Sequence, residues 1–177
     1  MKLECGEIDT PLGALRFASS SGRVFGLAFA DVWAALERAL VRRLGRLEFC
    51  AAHDAGDLIA RLDAFFAGDL ATLDGVEIAL VGTSFQRQVW TALRAVPAGA
   101  TTSYGALARA IGAGTAVRAV GAANAANPVW LIVPCHRAIG SDGQLVGYAG
   151  GIERKRWLLA HESRCAAENS SREAHDS

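Results

Sequence analysis

The chain has 177 residues, of which 51% are apolar, 20% charged and 7% aromatic, with a formal net charge of zero. This composition excludes a disordered chain, and the length suits one sizeable core or two small ones, so two compact lobes are expected. No stretch reaches the roughly 18 apolar residues of a membrane helix, and Met1-Lys2-Leu3-Glu4 opens without a secretory apolar core.

The first thirty residues alternate short apolar runs with turn residues: 3–8, Thr10-Pro11-Leu12-Gly13, 14–18, Ser19-Ser20-Ser21-Gly22 and 24–29. This pattern predicts a three-stranded antiparallel meander. Over 31–44, Trp33, Leu36, Leu40 and Val41 oppose Glu37, Arg38, Arg42 and Arg43, an amphipathic helix that Asp31 is placed to cap. A strand near 47–51, a helix over 57–66 and an apolar run at 76–81 complete a first lobe, with the boundary at Gly82-Thr83-Ser84.

Phe85, Val89 and Leu93 recur at helical spacing after Thr83 and Ser84 as caps, and Pro97 stops the segment. Two short helices then flank Gly112-Ala113-Gly114, over 103–111 and 116–125, which is a helix-turn-helix pattern. The second of these is nearly all Ala and Gly, with Arg118 and Asn124 as its surface side chains. Such a smooth helix suits tight packing in a core, or insertion into a narrow groove with one long cation projecting. Charge leans the same way. Residues 1–82 carry eight basic and twelve acidic side chains, whereas residues 83–162 carry eight basic and three acidic ones. That surplus reads either as ordinary solvated arginines or as the footprint of a polyanion.

Residues 129–133 form a continuous apolar run fit for a buried strand, and Pro134 delivers the chain stiffly to Cys135. Cys5, Cys50 and Cys165 read as small apolar residues, and no CxxC spacing marks a zinc site, so all four cysteines are expected as free thiols. Cys135 differs because His136 and Arg137 follow it and either can favour the thiolate. On an extended segment, however, His136 needs a water or a local turn to reach the sulfur. After a turn at Gly140-Ser141-Asp142-Gly143, the run Gly147-Tyr148-Ala149-Gly150-Gly151 offers either a plain turn or an open place for a flat ring. A final helix over 152–162 puts Leu158, Leu159 and Glu162 on one side, where Glu162 either meets a partner such as His136 or ends in solvent. The polar tail, 163–177, reads as disordered.

The run Val133-Pro134-Cys135-His136-Arg137, preceded by Asn127-Pro128 and followed by Gly147-Tyr148-Ala149-Gly150-Gly151 and Leu158-Leu159-Ala160-His161-Glu162, resembles the O6-alkylguanine-DNA alkyltransferases, also called methylated-DNA-protein-cysteine methyltransferases. The likeness takes in Gly82-Thr83-Ser84-Phe85-Gln86, Ser103-Tyr104 and Arg118-Ala119-Val120-Gly121, and covers about residues 3–162. It implies an α/β (α+β) fold: an amino-terminal ribonuclease-H-like lobe (1–82) and a winged-helix-like lobe with the helix-turn-helix (83–162). It implies stoichiometric, irreversible transfer of an alkyl group from O6 of guanine in double-stranded DNA to Cys135, with base flipping, and without metal or cofactor. In that reading His136 and Glu162 form a water-linked relay and Asn127 supports the active-site turn. Tyr104 presses on the target phosphate and donates to the purine, and Arg118 replaces the extruded guanine from a helix that also carries Ala119 and Gly121. Arg137 adds a DNA contact, Tyr148 closes over the base, and the backbone at Cys135, Val146 and Ala149 reads its edge. Ala138 departs from the usual valine or isoleucine, and Ala149 stands where some relatives have serine. A cytoplasmic monomer with no membrane partner is expected. The rival readings are a lesion sensor that accepts nothing, a helix-turn-helix regulator with Cys135 as its sensor, and a cysteine hydrolase, for which no oxyanion hole is recognisable.

Overall fold

The computed structural model describes residues 1–52 and 57–173. Strands β1 (Lys2–Ile8), β2 (Leu15–Ser20) and β3 (Arg23–Phe29) form the expected antiparallel meander. A fourth strand, β4 (Glu48–Ala51), joins parallel to β1, giving the order β3-β2-β1-β4. A parallel return needs a crossover, and α1 (Trp33–Leu44) supplies it. Alternation puts Leu15 and Phe17, and likewise Leu27 and Phe29, on the buried face. The helix α2 (Leu58–Ala67) adds Leu58, Leu62 and Phe65 to the core from one stripe, and stops at Gly68, whose φ of 111° suits a residue without a side chain.

One local expectation is corrected. Asp31 does not cap α1, whose N-cap is Val32 with no side-chain bond; its carboxylate pairs instead with Arg154 at 2.9 Å. The run 76–81 makes no regular strand, and only a bridge between Val24 and Ile78 ties it to the sheet.

In the second half, α3 (Ser84–Arg94) starts with a reciprocal capping box between Thr83 and Gln86 and buries Val89, Trp90 and Leu93. The helix-turn-helix comprises α4 (Tyr104–Ala110), capped by Ser103, and α5 (Val117–Ala125). Two short strands, β5 (Thr102–Ser103) and β6 (Ala138–Ile139), pair in parallel beside it. Helix α6 spans Ile152–Glu173. The disorder expected from residue 163 is therefore not met over 163–173, where Cys165 is buried against Gly68 with its Sγ 3.8 Å from His161 Nδ1. The last four residues lie outside the described ones.

The two halves do not have separate cores. Buried side chains from Leu3 to Cys165 form one cluster. Arg43 of α1 bonds the carbonyls of Val81 and Ala126 and lies 5.6 Å over the Trp90 ring, and Trp90 Nε1 donates to Ala123 O at 2.8 Å. Among the described residues no helix is long and apolar enough to cross a membrane, and no group of three or more His, Cys, Asp and Glu is placed to hold a metal ion.

Candidate active site

The segment from α5 to Cys135 folds into a tight turn where a strand was expected. Asn127 explains this, because its Oδ1 accepts from Val129 N at 2.9 Å while its Nδ2 donates to Val133 O at 2.8 Å. One side chain thus satisfies backbone groups that a strand would have paired with a neighbour. Leu131 at the turn's middle has φ of 66°, a conformation uncommon for a branched residue. The turn is docked on β3 by two backbone bonds of 2.9 Å, from Leu27 N to Pro128 O and from Trp130 N to Leu27 O. Cys135–Arg137 then makes a single 3-10 turn, so Cys135 and His136 do not alternate across an extended strand.

Cys135 is 3% exposed and lines a cavity of about 420 Å³. Tyr104 enters the cavity from the first residue of α4, Gly121 and Asn124 from α5, Trp130 from the turn, and Val146, Tyr148 and Ala149 from the loop before α6. That volume is within the range of small-molecule sites, and the lining is mostly apolar. Gly150 lets the loop close: a Cβ there would stand 2.8 Å from both the Trp130 and Tyr148 rings. At Gly121 a Cβ would meet only Tyr104, at 4.0 Å, so protein packing does not demand glycine at that position.

Behind the thiol sits a fully buried network. Glu162 Oε1 accepts from His136 Nε2 at 2.8 Å, and its two oxygens accept from Arg137 Nη2 and Nε, each at 2.9 Å. Gly99 N adds a fourth bond at 3.2 Å, and Arg137 Nη1 donates to Val96 O at 2.6 Å. Burial alone pushes the Glu162 carboxyl up, but His136 and Arg137 overcome it and hold the pKa at about 2. Burial lowers the His136 pKa. The imidazole is thereby neutral with its proton on Nε2, and Nδ1, which has no hydrogen-bond partner among the described residues, is the basic atom.

Two expectations change here. Arg137 is 7% exposed and bonded to Glu162 and Val96, so it is not available to a phosphate. Nor does it favour the thiolate: burial pushes the Cys135 thiol up to about 11, against weaker lowering by Asn127 and Lys155. The resting nucleophile is a thiol that needs a base.

Of the remaining assigned residues, Tyr104, Gly121, Val146, Tyr148 and Ala149 line the cavity, whereas Arg118 and Ala119 do not. Tyr104 is half-buried, Arg118 and Ala119 are exposed on α5, and Ala149 is at the rim. Val146 O already accepts from Lys155 Nζ at 2.8 Å. Ala138 packs fully buried despite its small side chain, and its carbonyl also accepts from Lys155. Sequence reasoning missed Lys155, which is fully buried; its spacing of three and seven residues from Leu158 and Glu162 was the available signal. It also misplaced Asn124, which is 4% exposed and not a surface side chain.

A thiol held beside a histidine-glutamate pair in the wall of a cavity, next to a helix-turn-helix, defines a covalent acceptor built onto a nucleic-acid-binding fold. Residues 84–164 match the family described as 6-O-methylguanine DNA methyltransferase, DNA binding domain. The chain is 42% identical over 160 residues to the methylated-DNA-protein-cysteine methyltransferase of Mycobacterium leprae, covering 90% of this chain and 92% of that protein. It is 55% identical over 115 residues to the protein of that name from Salmonella typhimurium, covering 65% of this chain and 67% of that one. Among solved structures it is similar to Mycobacterium tuberculosis OGT in complex with DNA, with a TM-score of 0.77 and 39% identity over 93% of this chain and 94% of that one. The O6-methylguanine-DNA methyltransferase of Pyrococcus kodakaraensis gives 0.68 and 30% over 90% and 98%. The chain belongs to the methylated-DNA-protein-cysteine methyltransferase family.

Proposed function

We propose that this protein repairs double-stranded DNA by moving an alkyl group from O6 of guanine to Cys135 Sγ in one irreversible step. The observation that carries the reading is a buried thiol in the wall of a cavity, backed by His136 and Glu162. The names of the relatives and the DNA-bound neighbour support it.

The ionised Glu162 accepts from His136 Nε2, which leaves the Nδ1 lone pair to take the thiol proton through a water. The thiolate attacks the alkyl carbon, the carbon–oxygen bond breaks, and its electron pair passes into the purine. N1 of the departing guanine gains a proton, so the proton lost by sulfur is balanced. Burial keeps the Tyr104 phenol protonated, as a donor to the purine. The thioether is stable, and each molecule acts once. Reaching the cavity requires an extruded base; Arg118, exposed on α5, fills the gap in the stack, and the small residues Ala119 and Gly121 allow close approach to the groove. Asn127 acts by fixing the turn that carries the nucleophile. A free thiol acceptor suits a reducing compartment, so the reading places the protein in the cytoplasm. A sensor that accepts nothing has no use for the thiol that this chain retains.

Intact-mass spectrometry after mixing with a methylguanine duplex tests the proposal. The expected result is a gain of one methylene mass on the Cys135 peptide, absent from Cys135→Ala. Binding of the lesion with no gain in mass overturns transfer and leaves recognition alone.

A further inference from the structure

Asn124 stands apart from the other polar groups around the cavity. It is 4% exposed, yet its Oδ1 has no hydrogen-bond partner among the described residues, while its Nδ2 lies 3.4 Å from the carbonyl of Cys135. It is the only side-chain amide or carboxylate among the lining residues. The other polar side chains there are the Tyr104 and Tyr148 hydroxyls, the thiol, and Trp130 Nε1, which is committed to Asn127 O. A buried acceptor without a donor is unfavourable in an apolar cavity, so a ligand that brings an N–H to it gains more than one that does not.

Resting on the repair reading above, we propose that Asn124 determines base specificity: Oδ1 accepts from the exocyclic amine of the extruded purine while Nδ2 holds the Cys135 carbonyl. The chemistry follows from the bases. O6-alkylguanine has lost its N1 proton but keeps an amine at C2, next to the reacting side of the ring. O4-alkylthymine has lost its N3 proton and keeps only acceptors along the same edge. Asn124 Oδ1 therefore favours alkylated guanine over alkylated thymine, and over any alkylated purine lacking the 2-amino group.

The test compares single-turnover methyl transfer from duplexes carrying O6-methylguanine and O6-methylhypoxanthine, which differ only in that amine. The wild-type protein should prefer methylguanine by about tenfold. Asn124→Leu, close in volume but without an acceptor, should bring the ratio to within about twofold. Asn124→Asp, which retains acceptor oxygens, should keep the preference at a lower overall rate. A wild-type ratio near one, an unchanged ratio in Asn124→Leu, or a lost ratio in Asn124→Asp overturns the assignment. If Asn124→Leu lacks a cooperative unfolding transition, the wild-type and Asn124→Asp ratios decide. Failure of the wild-type protein to take methyl from methylguanine at all overturns the repair reading, a result distinct from these.

Discussion

Replacing Glu162 by Gln removes one charge from a fully buried network, and the size of the loss can be worked out beforehand. The carboxyl falls from an ordinary 4.5 to about 2 in the folded protein, which corresponds to about 3 kcal/mol of stabilisation. Glu162 is 0% exposed, so solvent screening does not reduce that figure. The variant also leaves Arg137 charged, buried and unpaired, a situation that commonly costs about 3–5 kcal/mol. Urea unfolding at about pH 7 should show a loss of about 3 kcal/mol, a large share of a typical 5–15 kcal/mol total. Because the folded pKa lies below the unfolded one, this contribution is complete above pH 4.5 and disappears as pH falls toward about 2. The gap between wild type and Glu162→Gln should accordingly narrow over that acid range. The double variant Arg137→Met/Glu162→Gln should recover much of the loss, since it leaves no orphaned charge. A single-variant loss below about 1 kcal/mol, or a gap independent of pH, would refute the reasoning.

The site yields further expectations. Iodoacetamide labelling of Cys135 in the unliganded protein should rise steadily toward about pH 11, because burial keeps the thiol protonated; a plateau near neutral pH would contradict this. Lys155→Met removes the buried cation that favours the thiolate and frees the carbonyls of Ala138 and Val146, so labelling at fixed pH should slow by about three- to tenfold. Asn127→Ala leaves Val129 N and Val133 O without their partner and should cost about 2–4 kcal/mol in urea unfolding. Of the eight basic residues over 83–162, Arg137 and Lys155 are buried and Arg154 is engaged with Asp31, so log affinity for duplex DNA should fall with log salt at a slope of about −2 to −4. Arg118→Ala should reduce repair of duplex more than reaction with free benzylated guanine, and equal losses would remove its stacking role.

Periodicity located the meander, α1 and the helix-turn-helix because those elements bury a face whose spacing the local sequence declares. It failed at 129–133, where five apolar residues read as a strand. The outcome there depends on Asn127, whose side chain replaces the ladder, and pattern alone does not reveal that contact. The fate of Arg137 was hidden for a similar reason: a basic residue beside a nucleophile looks electrostatic, yet Glu162, 25 positions away, claims its guanidinium. The thiol's high pKa has another cause, burial, which outweighs the lowering by Asn127 and Lys155. Helix α6 outran its expected end because the polar residues after Glu162 conceal a buried position at Cys165, whose packing surface comes from Gly68.

The pair of main-chain links between Leu27 and the turn at Pro128 and Trp130 has a bearing on how the gene can be edited. The reactive sulfur is anchored, one step removed, to a ribbon encoded more than a hundred codons upstream. A shortened version beginning at α3 would keep every group that touches the cavity but lose the rail on which the nucleophile's support is mounted. Grafting a foreign amino-terminal half would succeed only if its equivalent ribbon presented one amide and one carbonyl at the same height.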